Sequence, residues 1–328
     1  MNPKLKENIW RIDNENQLAT LITSSQAFDV PFNPALAFLK IRPLCTGHHS
    51  LESIAQQSAL SEKSVQDLLR SLQPSGIIIS LKDNQHNDDE VKRRENIVNI
   101  IAAWSTELAA SYIGNELGQG QLSKTVLVGW LLEMYHYIKD FPKAIHVAAQ
   151  HAPILLRPVY EQYCTEETGH EIFVLNTLLR LGLSQAEVES SAPLVSTRSI
   201  NLLMKELFTK EPIALLIVAA LIEAQEFNSE AINDFKRSLV DYYGVTGDAL
   251  DSYFEHQEID VRLGHADLLA SHIQWLDHLN GVALDAVLDG VHDIKHAFDL
   301  QSLEIKHYYG SSQGQYIPRQ TINYTAIR

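Results

Sequence analysis

A chain of 328 residues with 45% hydrophobic side chains can bury a sizeable core and divide into one large and one smaller domain. Its net charge of −15 and isoelectric point near 5.3 argue against nucleic acid or an anionic membrane as the main partner. Two cysteines, Cys45 and Cys164, supply neither a disulfide framework nor a thiolate cluster, which fits a reducing cytoplasm.

The opening stretch MNPKLKENIWRIDNENQ lacks the apolar core of a signal peptide. The longest apolar run, residues 212–222, is too short to span a bilayer, so a cytoplasmic protein is expected. Within residues 1–90 a helix precedes a short helix at 51–57 and then SEKSVQDLLRSL. There Ser61 can cap, and Val65, Leu68, Leu69 and Leu72 form an apolar stripe. QPSG breaks this helix and IIIS reads as a strand. That order outlines a small winged helix. It resembles the winged-helix peptide-binding module of peptide-modification pathways, which implies a peptide or carrier protein as partner. The helix corresponding to a DNA reader offers only Lys63 and Arg70 against Glu62 and Asp67, too few cations for phosphate contacts. The polar segment 81–96 is the linker candidate.

Residues 91–305 have helical periodicity throughout, with helices expected near 97–115, 122–151, 154–182, 197–208, 212–227, 230–243, 246–278 and 281–300. LGQGQ, HAP, LGLS, KEP and YGVTG punctuate them. This pattern predicts a mainly α protein, a helical bundle preceded by the small N-terminal domain, with a polar tail over 306–328.

Several polar residues sit where these helices should pack. Glu133 lies in VLVGWLLEMYHYI, and Glu223 follows the apolar run 212–222. Glu167 and His170 stand three apart in EETGHE, and His256 and Asp260 four apart in EHQEID, spacings that share one helix face. A buried carboxylate must be neutralised, paired or bound to metal. Each acid alone has a plain reading as a solvated or salt-bridged side chain. Four helices with the same anomaly match the ligand inventory of a two-iron or two-manganese carboxylate site. Tyr135, His136 and Tyr163 lie near these positions in sequence and either line the cavity or simply pack.

The order Glu133, Glu167, His170, Glu223, His256 resembles the haem-oxygenase-like diiron oxidases and oxygenases, relatives of thiaminase II and of pyrroloquinoline-quinone synthase. The resemblance covers about 200 residues and includes the LG that ends EETGHEIFVLNTLLRLG. It implies a haem-oxygenase-like bundle and two iron ions held by these residues with Asp260, the second ion being labile. It further implies dioxygen as co-substrate, oxidation of a small amine, amino acid or fatty acid, and a homodimer. Glu161 is an alternative carboxylate on the second helix. One departure stands out: the family pattern H-x-x-x-D-x-x-H expects His at position 263, which is Leu, and the nearest candidate is His265. On a continuous helix His265 would face half a rotation away from His256 unless an insertion or π-bulge near Gly264 turned it back. The rival readings are a metal-free, thiaminase-type enzyme of the same fold using Cys, Tyr, Glu or His, and a non-catalytic peptide- or carrier-binding module.

Overall fold

The computed structural model describes residues 2–5, 9–22, 27–72, 77–81, 90–223, 229–279, 281–311 and 318–320. They fall into two compact units, Met1–Asp89 and Glu90–Arg328.

The first unit contains strands β1 (Asn2–Leu5), β2 (Ile9–Asp13), β3 (Leu18–Ile22) and β4 (Ala27–Pro31). Helices α1 (Phe32–Ile41), α2 (Leu51–Ser58) and α3 (Glu62–Leu72) follow, then strand β5 (Ile78–Leu81). The Ser50 hydroxyl caps α2 and the Ser61 hydroxyl accepts from the Ser64 amide to cap α3. Val65, Leu69 and Leu72 are buried on α3, against Phe38, Ile41 and Ile54. Here the structure departs from the winged-helix outline. β5 pairs antiparallel with β1, and β2, β3 and β4 form a separate three-stranded meander ahead of the helices. The first hairpin turns on Asp13, whose carboxylate accepts from the amides of Glu15 and Asn16, with Gln17 at positive φ. The segment 73–76, expected as the break after α3, lies outside the described residues.

The second unit is a helical bundle. It comprises α4 (Glu90–Ser111), α5 (Ile113–Gly118), α6 (Lys124–His151), α7 (Arg157–Glu167), α8 (Glu171–Arg180) and α9 (Gln185–Ser190). The chain continues through α10 (Val195–Lys210), α11 (Ala214–Ile222), α12 (Ser229–Tyr243), α13 (Gly247–Leu263), the short α14 (Leu268–Ser271) and α15 (Gly281–Gly310). α6 is buried on every side from Thr125 to Glu133, as its unbroken apolar run requires, and packs against α7, α8, α10 and α15. α11 is almost wholly apolar and equally central. No helix among the described residues is long and apolar enough to cross a membrane.

Three expected helices differ in ways that matter for the site. The stretch 154–182 is not continuous, since α7 stops at Glu167 and α8 begins at Glu171. Gly169 between them has φ +95°, and the Thr168 hydroxyl takes up the Cys164 carbonyl that a continuing helix would have used. The stretch 246–278 likewise ends at Leu263, with Gly264 left-handed at φ +70° and a 3₁₀ turn restarting at His265. No π-bulge is needed. Finally, α15 runs to Gly310, so the first residues of the expected polar tail are helical.

Gly169 gives a direct test of the first break. A Cβ there meets nothing within 4 Å, so Gly169→Ala carries a backbone cost alone. It is expected to lower unfolding free energy by about 1–2 kcal/mol in urea titration. A neutral or stabilising result would contradict the bend.

Candidate functional site

The two breaks and the end of α11 converge. The 3₁₀ turn His265–Asp267 packs on α11, whose C-terminal cap is Glu223, and α7 delivers Glu166 and Glu167. Ligand atoms from Glu167, Glu223 and His265 all lie within 4.8 Å of one another. Glu167 Oε1 is 2.9 Å from His265 Nδ1, yet the angles exclude a hydrogen bond, leaving both buried atoms without one. Glu167 turns its other oxygen to His170, Oε2 to Nδ1 at 3.6 Å. The His170 Nδ1 is in turn 3.1 Å from His256 Nε2, with the two rings at right angles. Glu167, His170, His256 and His265 are each less than 9% exposed.

The surrounding groups hold this geometry. The buried Tyr163 hydroxyl donates to Glu223 Oε1 at 3.1 Å, and its ring lies 4.3 Å from that of His265. Burial raises the Tyr163 pKa well above the ordinary phenol value, reinforced by the charges of Glu223 and Glu167, so the hydroxyl keeps its proton. Phe141 packs on Tyr163 and Phe173 on His256, giving the cluster apolar walls. Burial alone would lower the pKa of His265. The carboxylates of Glu167 and Glu166 beside it, with Glu223, outweigh that and lift it to about 9.

A pH dependence follows for the metal-free protein. A group whose folded-state pKa is raised stabilises fully below its ordinary value, here 6.5, and the contribution is lost as pH rises through about 9. The thermal midpoint is therefore expected to fall between those pH values, and His265→Gln to flatten the fall. An unchanged slope in the variant would contradict the assignment.

The expected site residues do not all meet. Glu167, His170, Glu223, His256 and His265 form one connected group. Glu133 does not belong to it. Its Oε2 accepts from the Leu194 amide at 2.9 Å and its Oε1 from the Tyr309 hydroxyl at 2.8 Å, so a fully buried carboxyl ties α6 to α10 and α15. Burial raises its pKa against the pull of these donors, which suits a structural group. The side chain of Asp260 lies outside the described residues. Glu161 is exposed on α7. Tyr135 accepts from Lys139, and His136 pairs with Ser191 rather than with the cluster. Glu166, absent from the expected set, contacts His265 Nε2 at 2.9 Å. One face of one continuous helix had room for Glu167 alone, and only the doubled acid in TEETGHE hinted at its neighbour.

Comparison with known proteins places the bundle. Residues 114–260 match the model of the TENA/THI-4/PQQC family. Among solved structures, a domain of unknown function with a haem oxygenase-like fold from Shewanella denitrificans OS217 is similar, at 17% identity and TM-score 0.54. The match covers 70% of this chain and 98% of that one. A TenA homologue from Pseudomonas syringae pv. tomato str. DC3000 is similar at 10% identity and TM-score 0.51, over 65% of this chain and 92% of that one. No curated protein matches the chain by sequence. The fold is thus haem oxygenase-like, and the family match spans Glu167, His170, Glu223 and His256 while stopping short of His265.

Proposed function

We propose that the buried cluster holds iron and that the protein is a dioxygen-using oxidase or oxygenase of a small amine, amino acid or fatty acid. One observation carries the reading: Glu167 Oε1 and His265 Nδ1 are buried 2.9 Å apart with no hydrogen bond between them, beside Glu223. A cation that displaces the Nδ1 proton would be shared by these two atoms, and two carboxylates with an imidazole suit iron or manganese better than a metal that prefers thiolates. Bound iron would supply the binding and reduction of dioxygen.

The chain's own groups have definable tasks in this reading. Glu167, Glu223 and His265 would hold a first ion, and His170, toward which Glu167 turns its second oxygen, would with His256 offer donors for a second. Tyr163 fixes the Glu223 carboxylate through its hydroxyl. Phe141 and Phe173 keep bulk water from the donors, which strengthens their hold on a cation. Glu133, excluded from the cluster by its own partners, takes no part.

A metal-free reading draws on the TENA/THI-4/PQQC match. It finds little support in the one thiol near the site. Cys164 Sγ donates to the Pro142 carbonyl at 3.3 Å, and burial raises its pKa, both of which oppose a thiolate nucleophile.

Anaerobic loading with ferrous iron, desalting and metal analysis tests the proposal. About two irons per chain are expected when the second ion is retained. Admission of air should then cause dioxygen uptake that iron-free protein does not show. A protein that retains no iron after desalting would return the field to the metal-free reading.

A further inference from the structure

Resting on that reading of the cluster, we propose that Glu166 is a positioning residue for His265, fixing which ring nitrogen faces the ion. The two imidazole nitrogens of His265 meet two successive carboxylates of α7: Nε2 lies 2.9 Å from Glu166 Oε2 and Nδ1 2.9 Å from Glu167 Oε1. Consecutive residues on a helix point about 100° apart, and the imidazole is wedged into that angle.

The two contacts are not equivalent. Nε2 and Glu166 make a hydrogen bond, whereas Nδ1 and Glu167 do not. An ionised carboxylate only accepts, so the bond to Glu166 demands a proton on Nε2. In the neutral ring Nδ1 is then the atom with a lone pair, and it is the nitrogen turned toward Glu167. A metal-bound imidazole is commonly oriented in this way by a carboxylate on its remote N–H, which sets the tautomer and raises ligand basicity. Glu166 is itself held. Its Oε1 accepts from Gln162 Nε2 at 2.8 Å, one turn earlier on the same helix, which leaves Oε2 for His265. Its side chain is 26% exposed against 7% for Glu167. The outer carboxylate therefore faces the remote nitrogen from the solvent side, while the inner one faces the buried cluster. This division explains why two adjacent acids serve one histidine.

The test uses the full chain and cobalt(II), whose visible absorption reports ligand number and symmetry. Wild type, Glu166→Ala and Glu166→Gln are titrated anaerobically, with thermal midpoints of the metal-free proteins as a control. Glu166→Ala is expected to weaken cobalt(II) binding by roughly 10- to 100-fold and to alter the spectrum. Glu166→Gln, whose amide oxygen still accepts from Nε2–H, should recover most of the affinity. In zinc-loaded protein with ¹⁵N-labelled histidine, the His265 proton should reside on Nε2 in wild type. Wild-type affinity and spectrum in Glu166→Ala would overturn the role of Glu166 alone, as would a proton on Nδ1 in the zinc-loaded protein. Failure of the wild type itself to bind cobalt(II) would overturn the metal reading beneath it.

Discussion

Ferrous iron, added anaerobically, is expected to raise the thermal midpoint of the wild-type protein and to leave those of Glu167→Ala and His265→Ala unmoved. A ligand that binds only the folded state at about 100 times its Kd stabilises by about 2.7 kcal/mol. For a folded unit of this size each kcal/mol shifts the midpoint by roughly 2–4 °C, so the rise should be about 5–10 °C. The variants lose it for different reasons. Glu167 contacts both His265 and His170, so its removal severs the cluster in the middle. His265 is the imidazole among the three mutually close donors. Neither change should unfold the metal-free protein. Glu167→Ala loses its attraction to His265 but also relieves the repulsion among Glu166, Glu167 and Glu223, and the Glu166 contact remains. Glu133→Gln is the informative control, since Glu133 is bonded to Leu194 and Tyr309 and should keep the full iron-dependent rise. A rise of equal size in Glu167→Ala and wild type would place the iron elsewhere.

The sequence made the bundle and most of the cluster readable because burial leaves a mark on composition. An apolar run that is hydrophobic on every side, as in 126–132 or 214–222, has no solvent face, so an acid at its end stands out as an anomaly. What this test cannot separate is a buried acid that serves a ligand from one that serves the backbone. Glu133 and Glu223 look alike in sequence, yet Glu133 meets the amide of Leu194 and the hydroxyl of Tyr309, partners 61 and 176 residues away. No local pattern predicts contacts at that range.

The helix breaks were illegible for a related reason. Spacing arguments assume an unbroken helix, and on one His265 would face away from His256. The structure reaches the cluster by stopping α13 at Leu263 and reversing through Gly264. Gly169 does the same between Glu167 and His170. Each glycine occupies a left-handed conformation that few other residues adopt, so the signals were present in EETGHE and VRLGH. Their effect on side-chain direction became visible only with the backbone. In the N-terminal unit, the three helices and β5 followed from caps and apolar spacing. The meander of β2, β3 and β4 did not, because short half-exposed strands carry a weak pattern.

Gly129→Ala should destabilise the protein by roughly 2–4 kcal/mol, although alanine is the better helix former. On propensity alone the change inside α6 would gain about 1 kcal/mol. The packing decides otherwise. A Cβ at this position would lie under 3.0 Å from three ring atoms of Tyr309, which is fully buried on α15. An aromatic ring enclosed in a close-packed core has no alternative rotamer at small cost, so either the ring or the helix must move. Moving the ring also withdraws its hydroxyl from Glu133 Oε1, leaving a buried carboxyl short of a donor, at about 1–3 kcal/mol. Overpacking and the lost hydrogen bond act in the same direction and together exceed the propensity gain. The mechanism is separable from a general intolerance of α6 by a double-mutant cycle. Tyr309→Leu alone costs stability through lost burial and the lost bond, but in that background Gly129→Ala should cost much less, because the ring it strikes is gone. Chemical denaturation of the four proteins gives the coupling directly. Additive losses would mean that the close approach of α6 to α15 at Gly129 is not what limits residue size there.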